Sequence, residues 1–95
     1  MIEIIRTKSG IKILGHANYA SYGKDIVCAG ISTLTQTLIQ SMEELTEDKI
    51  EYSMEPGRVQ IKFWSLSDKG RCLIDSFFIG VSMIAETYPA NVKVL

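Results

Sequence analysis

K-I-E-Y-S-M-E-P-G-R-V-Q-I-K-F, residues 49 to 63, is the stretch whose reading decides the fold. Ile50, Tyr52 and Met54 alternate with Glu51, Ser53 and Glu55, and Val59, Ile61 and Phe63 repeat the pattern beyond Pro56 and Gly57. Successive side chains of a strand point to opposite faces, so each run carries an apolar row and a polar row. Proline presets the backbone for the second position of a type II turn, and glycine accepts the positive φ of the third. The stretch is an antiparallel hairpin with one face made for burial.

A helical pattern lies on each side of this hairpin. Upstream, Val27, Ile31, Leu34, Leu38, Met42 and Leu45 recur at spacings of three and four, which predicts a helix from about Ile26 to Leu45. Asp25 stands in the N-cap position. Downstream, Ser65 to Asp68 offer caps for a second helix that runs to about Tyr88, where Pro89 stops it. Its main apolar stripe is Ile74, Phe77, Phe78, Val81, Ile84, Ala85 and Tyr88. Cys72, Ile79 and Met83 form a narrower stripe on the opposite face, which is either plain exposure or a surface covered by another subunit.

Further out, Met1 to Arg6 and Ile11 to Leu14 read as two strands around the Lys8-Ser9-Gly10 turn, and Asn91 to Leu95 as a last one. The order is ββαββαβ. Alternating strand faces with two amphipathic helices imply an α+β fold, two helices packed on a mainly antiparallel sheet.

With 95 residues, residues 1–95 are expected to form one domain with a single core. A net charge of −1 shows no basic excess, so no direct nucleic-acid binding is expected. The start, M-I-E-I-I-R, lacks the apolar core of a signal peptide, and no run approaches the roughly 18 residues of a membrane span. The reading is a cytoplasmic protein with no membrane partner and both cysteines reduced. One His and two distant Cys do not make a zinc pattern, so no metal and no cofactor are expected. The acidic run Glu43, Glu44, Glu47 and Asp48 reads as a solvated helix end or an attraction for a basic partner.

The chemistry gathers between Gly15 and Ser32, read G-H-A-N-Y-A-S-Y-G-K-D-I-V-C-A-G-I-S. His16, the only histidine, ends the second strand. Cys28 falls in the first turn of the first helix. A free thiol titrates near 8.5, and a helix dipole contributes about 0.3–1 kcal/mol, less than about one unit. A neighbouring imidazolium is the natural source of the rest. The reaction this suits is acyl transfer: Cys28 attacks a carbonyl, and His16 protonates the leaving amine. Backbone N–H groups of Cys28 and Ala29 would hold the oxyanion. Asp25 either orients His16 or only caps the helix. Ser32, one turn after Cys28, either supports the site or satisfies a helical carbonyl. Ala29 and Gly30 either admit a ligand or fill a tight helix–sheet contact. Cys72, beside Arg71, is a rival thiol with no second histidine to serve it.

Gly15-His16-Ala17, Tyr22-Gly23 and the run D-I-V-C-A-G-I-S from Asp25 to Ser32 together resemble the ribosomal-processing cysteine protease family, Prp. The resemblance covers nearly the whole chain. It implies a cytoplasmic, homodimeric bacterial endopeptidase that removes an N-terminal extension from the large-subunit ribosomal protein numbered twenty-seven, cutting after an aromatic residue. It places the nucleophile on Cys28, its partner on His16, and supporting roles on Asp25 and Ser32. It makes the loop with Tyr19, Tyr22 and Gly23 one that closes over substrate. The alternative of another class is a non-catalytic dimeric module that binds ribosomal protein or RNA.

Overall fold

A computed structural model describes residues 1–21 and 23–95. The elements run β1 (Ile2–Thr7), β2 (Gly10–Leu14), α1 (Ile26–Leu45), β3 (Ile50–Glu55), β4 (Arg58–Phe63), α2 (Asp68–Thr87) and β5 (Val92–Val94). This is the α+β order expected from the sequence. The five strands form one sheet in the order β3-β4-β2-β1-β5. All neighbours are antiparallel except β5, which lies parallel to β1. The Pro56-Gly57 turn closes the hairpin with Glu55 opposite Arg58, and Gly57 has φ +74°. That is the positive φ a type II turn asks of its third residue.

Alternation puts Ile2, Ile4, Ile11, Ile13, Ile61, Phe63 and Val92 on one face of the sheet, all buried. The helices cover that face with Val27, Ile31, Leu38, Ile39 and Met42 from α1 and Ile74, Phe77, Phe78 and Val81 from α2. Each such aliphatic or aromatic side chain contributes about 1.5–3 kcal/mol when fully withdrawn from water. The buried stripe of α1 is wider than its apolar periodicity. Thr35 is buried too, its hydroxyl donating to the Ile31 carbonyl at 2.7 Å, while Leu45 at the helix end stays exposed. A hydroxyl that returns its bond to its own helix can enter a core without an orphaned group.

Small residues sit where the two helices meet. A Cβ on Gly30 would lie 3.1 Å from Ile84 Cδ1, and one on Gly80 would lie 3.1 Å from Leu34. Gly30 therefore serves a close helix–helix contact rather than the helix–sheet contact or ligand opening considered from sequence. Asp48 also departs from its reading as part of a solvated acidic end. Its carboxylate accepts from the Ser67 N–H at 3.1 Å and the Ser67 hydroxyl at 2.8 Å, and Ser67 in turn caps α2 by accepting from the Gly70 N–H. Among the described residues, no helix is long and apolar enough to cross a membrane.

Candidate active site

Three backbone features deliver the site. Gly15 leaves β2 with φ +91°, a conformation open to glycine without strain, and its N–H donates to the Gly57 carbonyl at 2.8 Å. His16 follows, exposed at the strand end. Asp25 then starts α1 as its N-cap, in extended conformation, which sets Cys28 in the first turn. Cys28 is half-buried, whereas Cys72 on α2 is exposed.

The thiol and the imidazole line one cleft of about 780 Å³. Its walls are the β2 exit and the loop before α1, the first two turns of α1, and the β3–β4 turn. Ser32, Ala29 and Gly23 line it as well, with Lys24, Glu55 and Arg58 supplying charge. The Ala17 N–H donates to Cys28 Sγ at 3.3 Å. That N–H gives the Cys28 side chain a fixed backbone partner. The residue bonded to His16 is thereby fixed against the Cys28 side chain. The imidazole itself faces the β3–β4 turn: a Cβ placed on Gly57 would come within 2.7 Å of His16 Nε2.

Asp25 spends both carboxylate oxygens on backbone. Oδ1 accepts from the N–H groups of Val27 at 3.0 Å and Cys28 at 2.9 Å; Oδ2 accepts from Tyr19 N–H at 3.0 Å. The Cys28 N–H above all holds this carboxyl below its usual range, against desolvation and with help from the N–H groups of Tyr19 and Ala20 and from the Cys28 thiol. Asp25 is thus a cap and a loop anchor. Among the described residues it makes no hydrogen bond to His16.

The two N–H groups expected to hold an oxyanion have partners of their own. The Cys28 N–H is taken by Asp25 Oδ1, and the Ala29 N–H donates to the Asp25 carbonyl at 3.1 Å, as the first turn of a capped helix requires. Neither N–H is free in this arrangement. Of the loop residues, Gly23 lines the cleft with φ +85°. The Tyr19 ring instead packs edge-on against Tyr88, with centroids 5.2 Å apart. Tyr22 lies outside the described residues. No cluster of three or more His, Cys, Asp or Glu side chains gathers as a metal site among the described residues.

Residues 1–93 match the sequence profile of the family described as cysteine protease Prp. The chain belongs to the Prp family of cysteine proteases. The ribosomal processing cysteine protease Prp of Staphylococcus aureus is 28% identical over 82 residues, spanning 83% of this chain and 77% of the relative. That of Bacillus subtilis is 26% identical over 90 residues, spanning 87% and 80%. The fold matches the S. aureus Prp crystal structure, in complex with a covalently linked product peptide, with a TM-score of 0.89 at 22% identity, covering 98% and 94% of the two chains. A Streptococcus mutans crystal structure matches with a TM-score of 0.78 at 29% identity, covering 98% and 89%.

Two residues in contact with this region of the chain carry no signal of it in the sequence. Gly57 had a turn signal, which says nothing of the histidine it touches 41 positions away. Asn91 donates from Nδ2 to the Ala17 carbonyl at 2.9 Å across 74 positions, and no local pattern marks it.

Proposed function

We propose that this chain is a cytoplasmic, homodimeric cysteine endopeptidase that removes the N-terminal extension of the large-subunit ribosomal protein numbered twenty-seven during ribosome assembly. Cys28 is the nucleophile and His16 its acid and base. The observation that carries the reading is the Ala17 N–H on Cys28 Sγ, in a cleft that the thiol shares with the only imidazole of the chain. The family and its relatives' description as ribosomal processing proteases support it.

The thiolate attacks the scissile carbonyl carbon, and the carbonyl electron pair moves to oxygen. Collapse of that adduct breaks the C–N bond, and imidazolium His16 gives its proton to the departing amine. A thioester on Cys28 remains. Water, losing a proton to His16, attacks the thioester, and the C–S bond breaks to release the carboxylic acid and restore the Cys28 thiolate beside imidazolium His16. The covalently linked product peptide of the S. aureus relative supports a covalent route here too. Lys24 and Arg58, with Asp25 and Glu55, give the cleft charge of both signs, so a peptide backbone, neutral overall, suits it better than a polyanion. Exposed Ile26 and Met54 on its walls offer apolar contact.

The test is incubation with the N-terminally extended ribosomal protein, read by intact mass. The parent should release one N-terminal fragment. Cys28→Ala should release none while still binding the substrate. Turnover by Cys28→Ala above the enzyme-free rate would remove Cys28 as nucleophile. A parent that leaves the mass unchanged yet stays on ribosomes would point to the non-catalytic module.

A further inference from the structure

We propose that Asn91 is a positioning residue for the nucleophile: by holding the Ala17 carbonyl it keeps the Ala17 N–H on Cys28 Sγ. This rests on the reading of Cys28 as nucleophile.

Ala17 is pinned from two sides. Its N–H donates to Sγ at 3.3 Å, and its carbonyl accepts from Asn91 Nδ2 at 2.9 Å. Ala17 is 1% exposed, so water has little access to replace either bond. A buried carbonyl stripped of its donor keeps the full desolvation penalty, and residue 17 relieves it by shifting toward solvent. Both bonds hang on the one Ala17 Cα, so that shift would carry the N–H away from the sulfur.

Asn91 is itself rigidly held. Its N–H donates to the Tyr88 carbonyl at 2.9 Å, and its carbonyl accepts from the Ile2 N–H at 2.8 Å. The segment after α2 is thus locked to the β1 start, and it grips the loop twice, through Asn91 on Ala17 and through the Tyr88 ring on Tyr19. A rigid arm from the far end of the chain supports the thiol through the backbone of one residue, Ala17. Catalytic geometry of this kind depends on such supporting bonds.

The other charged groups around the thiol are His16 at the β2 exit, Lys24 and Asp25 in the loop, and Glu55 and Arg58 on the β3–β4 hairpin. Asn91→Ala leaves all of them in place. The measurement is the rate of iodoacetamide alkylation at Cys28 and Cys72, by peptide mass mapping, at pH 6.5 and pH 9. Losing one hydrogen bond to the thiolate should lower the ratio of the two Cys28 rates about fivefold to tenfold, because the thiolate becomes scarcer at the lower pH and more nucleophilic at the higher. The isosteric Asn91→Asp, an acceptor where a donor is needed, should lower it at least as far. Cys72 should keep its ratio. In the unsubstituted protein, the Ala17 amide resonance should move with pH in step with Cys28 alkylation.

An unchanged Cys28 ratio in a folded variant would overturn the proposal. So would an equal change at Cys72, which would mean general loosening. Should neither variant fold, an Ala17 resonance indifferent to Cys28 ionisation would overturn it unaided. Cleavage that survives Cys28→Ala would instead reject the nucleophile reading. Loss of cleavage in Cys28→Ala with an unmoved Asn91→Ala ratio would reject only the role of Asn91.

Discussion

Gly57→Ala should disable His16 without altering the imidazole. The added Cβ would stand 2.7 Å from Nε2, 3.3 Å from Cε1 and 3.4 Å from Cδ2 of that ring. Carbon and nitrogen meet comfortably no closer than about 3.4 Å, so the ring must retreat by about 0.7 Å. Nε2 is the far end of an exposed side chain, so the ring swings rather than the hairpin yielding. The collision therefore adds little to the stability loss. The positive φ of +74° does add, about 1–2 kcal/mol for a residue with a Cβ. Gly23→Ala provides the stability reference: its φ is +85° and a Cβ there meets nothing within 4 Å among the described residues. The two variants should unfold in urea with losses equal to within about 0.5 kcal/mol. Activity should tell the collision apart from the strain. Displacing a catalytic group by nearly 1 Å costs on the order of a hundredfold in kcat/KM. The assay is cleavage of a peptide spanning the ribosomal-protein cut site, in the parent and in a His16→Ala background. On that background Gly57→Ala should change the residual rate by less than about twofold. A Gly57→Ala protein within about threefold of parental kcat/KM, where His16→Ala retains only a small residual rate, would refute the reasoning.

Three further outcomes are expected. His16→Ala should slow iodoacetamide alkylation of Cys28 near pH 6 and leave Cys72 unaffected; equal rates at the two thiols in the parent would leave the dyad without support. Ile79→Glu should turn a dimer into a monomer by light scattering, since Ile79 and Met83 are 66% and 63% exposed on the outer face of α2 and a buried unpaired charge is costly; a monomeric parent would refute this interface. Asp25→Asn should keep the α1 cap but lose the acceptor for Tyr19 N–H, seen as faster hydrogen exchange at Tyr19. The folded carboxyl of Asp25 lies below its ordinary value of 3.8, so its ionised form stabilises the fold above that value, and the benefit disappears as pH falls through the folded one. The stability gap between the parent and Asp25→Asn should accordingly close in acid, and a gap that widens there would refute the assignment.

Much of the architecture was legible because it is written in local patterns. The α1 bounds, Ile26 to Leu45, follow from spacings of three and four and from one capping aspartate. The β3–β4 hairpin follows from period-two alternation around Pro56 and Gly57. Cys28 in the first turn of α1 and His16 at the end of β2 follow from the same elements. Each of these depends on residues within a few positions of one another, where backbone geometry alone sets which side chains share a face.

Only the tertiary structure decided the rest. The order β3-β4-β2-β1-β5, with β5 parallel to β1, depends on where α2 crosses the sheet. Thr35 and Ile39 enter the core because of what packs against α1, and Gly30 is small because Ile84 lies over it. Asp48 becomes a support for the α2 cap, and the N–H groups expected to hold an oxyanion are consumed by the α1 cap. The support of the site is the plainest case. Gly57 against His16 and Asn91 on Ala17 join residues 41 and 74 positions apart. Such contacts leave no periodicity and no spacing in the chain. They exist because folding brings a turn and a chain end to one place, and that proximity belongs to the whole fold rather than to any segment of it.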